Sequence, residues 1–160
     1  MRVNPEHIEQ FISMVNRTPY LTGLGVRLIR AEPGRSLVEA PVTHSLLNMF
    51  GGVHGGVVAT LVDCATYCSM YCSVPEDMGY VTIDLTVSDL RSAHEGMLHA
   101  EGRLVKAGKS LCVAEAFIRD DEGRLVGHGT SKCMIGADLQ PITAAVANLG
   151  EKPLPPKFLD

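Results

Sequence analysis

Between Glu39 and Glu76 the only formally charged side chain is Asp63. It closes the stretch Asn48-Met49-Phe50-Gly51-Gly52-Val53-His54-Gly55-Gly56 followed by the apolar run Val57 to Val62. A lone carboxylate among apolar residues is costly to bury without compensation. The glycines upstream mark a helix start, where unpaired backbone N–H groups face outward and can hold a developing negative charge. A carboxylate with an N–H trap is the equipment for attack on a carbonyl. If Gly55 opens the helix that carries Asp63, the two lie about 12 Å apart along its axis. One carbonyl cannot touch both in a single chain. Two such helices packed antiparallel about a two-fold axis would bring Asp63 of one subunit to Gly55 of the other, so the spacing predicts a site made twice at a dimer interface.

The rest of the chain supplies the frame. Asn4-Pro5-Glu6 opens an amphipathic helix with Ile8, Phe11, Ile12 and Val15 on one face. Gly23 and Gly25 break the chain. Val26, Leu28 and Arg30 begin an alternating strand, Glu32-Pro33-Gly34-Arg35 is a turn, and Leu37 to Val42 returns. The central helix spans Gly55 to Ser73 and stops before Pro75. Val81, Ile83, Leu85 and Val87 then alternate with polar residues. Met97–Val105, Ser110–Arg119 and Arg124–Ile135 are further strands, with turns at Lys106–Lys109 and Asp120–Gly123. This is an α+β chain, an antiparallel sheet curled around one helix. Residues 1–19 form an N-terminal helix, 20–136 the domain proper, and 137–160 an extension read as a surface helix and a loose end.

Composition bounds the function. Hydrophobic residues are 46% and charged residues 20%, as in a globular domain. The net charge of −4 with no basic stripe argues against a nucleic-acid partner. Asp63 near the middle of the apolar run costs about 2.5–3.5 kcal/mol on insertion scales and argues against a membrane span. There is no basic region followed by an apolar block at the N-terminus, so no signal peptide is expected, and the five cysteines do not read as a secreted disulfide framework, so a cytoplasmic location is expected. Cys64, Cys68 and Cys72 form a four-residue stripe. No second Cys/His pair has ligand spacing, so the stripe reads as core and no metal is expected. Gly51-Gly52 and Gly55-Gly56 lack the Lys-Ser/Thr of a phosphate loop.

Asn48, Gly52, His54-Gly55-Gly56 and Leu61-Val62-Asp63 together resemble the hotdog-fold acyl-CoA thioesterases of the PaaI-like (phenylacetate-pathway) group. The segments Val81-Thr82-Ile83-Asp84-Leu85, Leu90-Arg91-Ser92-Ala93 and Leu104 to Ser110 match as well, and the resemblance covers residues 20 to 136. Ser92 stands where the family often has proline, and residues 137–160 run past its usual end. The resemblance implies a hotdog fold and hydrolysis of acyl-CoA to acid and free CoA, with no cofactor beyond the substrate's own coenzyme A. It implies a homodimer and a homotetramer built as a dimer of dimers. It makes Asp63 the nucleophile or the base that activates water, and the Gly55 N–H the oxyanion donor. Asn48 and His54 would hold the carbonyl or the thiolate, and Thr82 would orient the water. Gly56, Asp84 and the run Lys106, Ala107, Gly108, Lys109 and Ser110 become substrate-binding positions, the lysines near the CoA phosphates.

Plainer roles stand beside these. Asp63 could satisfy backbone donors, His54 and Asn48 could only shape the helix start and a turn, Thr82 could be an ordinary strand residue, and the lysines ordinary turn residues. Two other functions share the pattern: a hotdog acyl-thioester dehydratase or hydratase, and a non-catalytic acyl-CoA-binding module. Asp63 nine residues after His54 favours hydrolysis over the first, and the need for a carboxylate at all favours catalysis over the second.

Overall fold

The computed structural model describes residues 2–159. A two-residue strand β1 (Arg2–Val3) leads into α1 (Pro5–Val15), where Asn4 caps the helix by accepting the Glu6 N–H at 3.1 Å. Phe11 and Met14 turn inward from it. A short helix α2 (Pro19–Leu24) follows, which the glycine pattern had concealed: Gly23 lies inside it and Gly25 ends it. Pro19 at its first turn suits a position whose N–H has no helical partner.

Six strands form the main sheet: β2 (Arg27–Glu32), β3 (Arg35–Pro41), β4 (Gly79–Asp89), β5 (Met97–Ala107), β6 (Leu111–Arg119) and β7 (Leu125–Gly136). All neighbours are antiparallel, in the order β2-β3-β5-β6-β7-β4. The two strands around Glu32–Arg35 pair as a hairpin, but the four strands after the helix do not pair in simple succession: β5, β6 and β7 do, while β4 crosses to pair with β7 and leaves its other side as an open edge. Lys106 and Ala107, expected in a turn, extend β5, and only Gly108–Ser110 turn the chain.

Two bulges correct the simple alternation expected for β2 and β4. The register slips between Leu28 and Arg30, so Leu28 and Ala31 are buried and Arg30 faces out. A second slip lies between Thr82 and Asp84. Thr82 pairs with the buried Cys133, but beyond the bulge Leu85 pairs with the buried Ser131 and Val87 with the buried Gly129. The extra residue changes which face each side chain takes. Thr82, Leu85, Val87 and Asp89 thus share the face toward the helix, and Val81 does not share it with Leu85.

The sheet wraps α3 (Gly55–Met70), which continues as a 3₁₀ turn at Tyr71–Ser73. Leu61, Val62, Ala65 and Met70 are fully buried. A helix apolar on nearly every side requires this enclosure. Close approach is tightest at Gly102, where a Cβ would overlap the Ala65 carbonyl oxygen, and Ser36 Oγ donates to that oxygen at 2.6 Å. Leu61→Ala would cost about 2–5 kcal/mol through the cavity left behind.

The tail is not loose. Helix α4 (Ile142–Asn148) buries Val146, and strand β8 (Phe158–Leu159) pairs with β1. Between them Lys157 is 2% exposed. His7 joins the two termini: its Nδ1–H donates to Pro155 O at 2.6 Å, leaving Nε2 to accept from Tyr71 Oη at 2.5 Å. Burial pushes the His7 pKa down.

Candidate active site

Asp63 projects from the middle of α3 and is half-buried. Its Oδ1 accepts the Thr82 hydroxyl at 3.0 Å, across the gap between helix and β4. The Thr82 hydroxyl holds one carboxylate oxygen and leaves Oδ2 without a protein donor among the described residues. The bulge at Ile83 sits directly beside this contact.

The loop before α3 is built around Asn48. Its Oδ1 accepts the N–H groups of Phe50 at 2.9 Å and Gly52 at 3.3 Å, and its Nδ2 donates to Val53 O at 3.4 Å. The turn-forming role is thus occupied, with one N–H of the amide left over. A Cβ at Gly52 would overlap Ser92 Oγ, in the loop between β4 and β5, so only glycine fits there. His94 Nδ1 bonds Gly51 O at 2.9 Å and pins the same loop.

His54 is the N-cap of α3, its Nδ1 accepting the Gly56 N–H at 2.9 Å. The neutral ring then carries its proton on Nε2, as a donor facing out of an exposed side chain. Gly56 is committed to His54. The Gly55 N–H, one position earlier, has no partner among the described residues. It is one of the orphan donors of a helix start and lies at the positive end of the helix dipole.

One neighbour of Gly55 was not anticipated. A Cβ at residue 55 would lie 2.8 Å from Asp89 Oδ2. The bulge at Ile83 turns Asp89 to the helix face, and only a glycine lets this carboxylate lie so close to the first turn. Asp89 continues the row of Leu85 and Val87 on the helix face, and the sequence holds no signal that this row ends beside Gly55.

Asp63 and Gly55 are at separate places in one chain, as the eight-residue spacing requires. Asp84 is not brought to Asp63: it pairs with Lys132 across the outer face at 2.7 Å. Ala107, Cys112, Cys133 and Thr82 form one row across the sheet, so the Lys106–Ser110 segment is level with Asp63, and Gly55 is at the other end beside Asp89. Lys106, Lys109 and Ser110 are exposed there. The three helix cysteines are free thiols, and burial pushes Cys64 up to about 12. They are unionised packing groups of α3 and the 3₁₀ turn that continues it.

Residues 50–127 match the thioesterase superfamily. The chain carries a thioesterase-superfamily domain. The thioesterase domain holds the Gly55 helix start, Asp63 and Thr82, and the activity class is thioester hydrolysis. The chain is 28% identical over 98 residues to a 1,4-dihydroxy-2-naphthoyl-CoA hydrolase of Listeria monocytogenes, covering 61% of this chain and 80% of the relative. Its fold is shared by a thioesterase from Haemophilus influenzae at TM-score 0.76 and 20% identity, over 83% of this chain and 92% of the other. A mutant of phenylacetic acid degradation protein PaaI from Thermus thermophilus superposes at TM-score 0.67 and 20% identity, over 73% of this chain and 98% of the other. The architecture of the thioesterase domain is thus the hotdog fold of the PaaI-like enzymes.

Proposed function

We propose that the protein hydrolyses acyl-CoA thioesters at two equivalent sites, each made from Asp63 of one subunit and the Gly55 N–H of the other. The observation that carries this is the pairing of a hydroxyl-held carboxylate with an unpaired helix-start N–H on one helix, too far apart to serve one carbonyl within a chain. A thioester carbonyl is already electrophilic and thiolate leaves without strong acid help. One oxyanion donor, worth about 2.7–4 kcal/mol, and one carboxylate therefore suffice. Asp63 acts as nucleophile or as base toward water, with Thr82 orienting the carboxylate. The His54 Nε2–H and the spare Asn48 N–H are the side-chain donors assigned to the carbonyl or the thiolate. The Listeria relative's name supports coenzyme A as the thiol. Lys106 and Lys109 are exposed cations for its phosphates.

The dimer forms through β4. This strand is eleven residues long with its outer side unpaired, and Val81, Ile83 and Leu85 on it are 43%, 55% and 38% exposed. A long apolar edge is a template for a second strand. Pairing two β4 edges antiparallel sets the two α3 helices side by side in opposite directions, as the shared site needs. A dimer of dimers is the further assembly that the family resemblance implies.

The test is thiol release from a panel of short, long and aromatic acyl-CoAs by wild type and Asp63→Asn. The reading requires turnover in the wild type and at least a hundredfold loss in the variant, with the fold retained. Hydration of an enoyl-CoA without thiol release would establish the dehydratase reading instead, and binding without turnover the non-catalytic one.

A further inference from the structure

Behind Asp63 lies a cavity of about 420 Å³, between the C-terminal half of α3, the start of β4 and α4. Its volume is in the range of small-molecule sites. Tyr67 and Tyr80 form the wall nearest Asp63: Tyr67 is one helical turn on, and Tyr80 precedes Thr82 by two residues on the same face of β4. Their rings stack 4.0 Å apart. Tyr80 Oη donates to Tyr67 O at 3.1 Å, and Tyr67 Oη to Tyr80 O at 3.3 Å. Tyr80 is buried and Tyr67 only half-buried, so Tyr67 is the side of this partition that can swing.

The far wall carries Lys157, contributed by the C-terminal extension. Its Nζ donates to Val74 O at 2.7 Å and lies 3.9 Å from the centre of the Tyr71 ring. It makes no ion pair among the described residues. Glu76 Oε2 accepts the Lys157 backbone N–H at 3.1 Å, so its charge is felt by the ammonium without a hydrogen bond to it. An ammonium 2% exposed ordinarily has an anionic partner, and this one has N–H groups to spare. Burial pushes its pKa down to about 8, so it remains cationic at neutral pH.

The spacing sets the ligand's length. Tyr71, under the ammonium, is eight residues beyond Asp63, about 12 Å along the helix. An extended chain advances about 1.2 Å per bond, so about ten bonds span that distance. We propose that the cavity receives the far end of the acyl group and that Lys157 binds a carboxylate there, making CoA monothioesters of dicarboxylic acids of about ten carbons the favoured substrates. This rests on the acyl-CoA thioesterase reading. It also assigns a role to residues 137–160: they close the acyl site and supply its cation.

The experiment compares kcat/KM for decanoyl-CoA and for the CoA monothioester of decanedioic acid, with the six-carbon pair alongside. The wild type is expected to favour the ten-carbon diacid about tenfold or more over the monoacid, as a charge-assisted contact in a buried site allows. The preference should fade in the six-carbon pair, whose carboxylate cannot reach. In Lys157→Met the diacid-to-monoacid ratio should fall to about one or below. Because that variant removes a buried contact, product inhibition of the wild type provides a second readout: decanedioate should inhibit more strongly than decanoate. A wild-type ratio at or below one, equal inhibition by the two acids, or an unchanged ratio in the variant overturns the proposal. Butyryl-CoA separates the layers. If no thioester is cleaved at all, the thioesterase reading fails; if butyryl-CoA is cleaved and the diacid preference is missing, only this assignment does.

Discussion

Thr82 Oγ1 donates a hydrogen bond to Asp63 Oδ1 at 3.0 Å, across the space between the edge strand and the central helix. The contact fixes which oxygen of the carboxylate is free to act. Thr82→Val keeps the branched shape and removes the donor. A loss of about tenfold in kcat is expected, with KM changed little, because the bond orients the carboxylate and does not bind CoA. Thr82→Ser should recover most of it. Equal kcat in Thr82→Val and wild type would show that the hydroxyl is only a packing group.

The Gly55 N–H can be removed without breaking the helix. Proline is favoured in the first turn, and His54 already has the extended backbone that a following proline requires (φ −68°, ψ 137°). Gly55→Pro is therefore expected to fold and to lose about 10²- to 10³-fold in kcat. Gly55→Ala meets the same Asp89 carboxylate with its Cβ but retains the N–H, and should lose far less. Parallel losses in the two variants would trace the effect to crowding and remove the oxyanion role.

Asp89 places a negative charge beside the N–H proposed as the oxyanion donor. Asp89→Asn should raise kcat about three- to tenfold, the size of an exposed like-charge term, and should do so most at low salt. The same change takes a carboxylate from the positive end of α3 and should cost about 0.3–1 kcal/mol of stability. Kinetics at two ionic strengths and a denaturation midpoint check both halves; a fall in kcat would mean that Asp89 assists the reaction.

Much of this arrangement is legible in the chain, for identifiable reasons. Asp63 is conspicuous because the other 35 positions between Glu39 and Glu76 hold no formal charge. The central helix is legible from its apolar run and the prolines and glycines around it. Other features are not. Ile83 is apolar at the bulge, so the alternation from Val81 to Val87 looks unbroken while the faces change. That one residue conceals the positions of Val81 and Thr82: the alternation puts Val81 on the helix face and Thr82 outside, and the structure reverses both. Lys157 is in a proline-rich tail with no periodicity, and its partners Tyr71 and Val74 are more than eighty residues away in sequence. A buried lysine whose contacts are all distant leaves no local pattern.

The union of the termini should respond to pH. Burial lowers the His7 pKa below 6.5, so the unfolded chain takes up a proton that the folded one refuses, and stability falls as pH drops through 6.5. Burial lowers the Lys157 pKa to about 8, so between about 8 and the ordinary 10.5 the unfolded chain again holds more protons and stability rises with pH. Both effects have the same sign. They are opposed by His99, whose pKa is raised, despite burial, by hydrogen bonds to Asp121 and Glu39, and above pH 8 by the cysteines, whose pKa burial raises. The effects are therefore read against the wild type: His7→Gln should lower the slope of melting temperature with pH between about 5.5 and 7.5, and Lys157→Met the slope between about 8 and 10. Limbs of unchanged slope in these variants would mean that other groups control the pH dependence.

Leu85 lies on the open edge strand, on its helix side, and is 38% exposed. Leu85→Lys should leave each protomer folded and shift the protein toward monomer, because a paired edge would bury the ammonium. Sedimentation should show the shift, and activity per protomer should fall with it. A variant that stays dimeric and active would move the interface away from β4.

The central claim is that each site draws Asp63 from one subunit and Gly55 from the other, and a mixed dimer tests it most directly. Asp63→Asn and Gly55→Pro chains, each inactive alone, are co-refolded to a statistical mixture. In a heterodimer one site then receives both defects and the other receives neither. With about half of the dimers mixed, activity should return to about one quarter of the wild-type value. Heterodimers that form in the expected proportion and recover no activity would place both groups in a single chain's site and contradict the account.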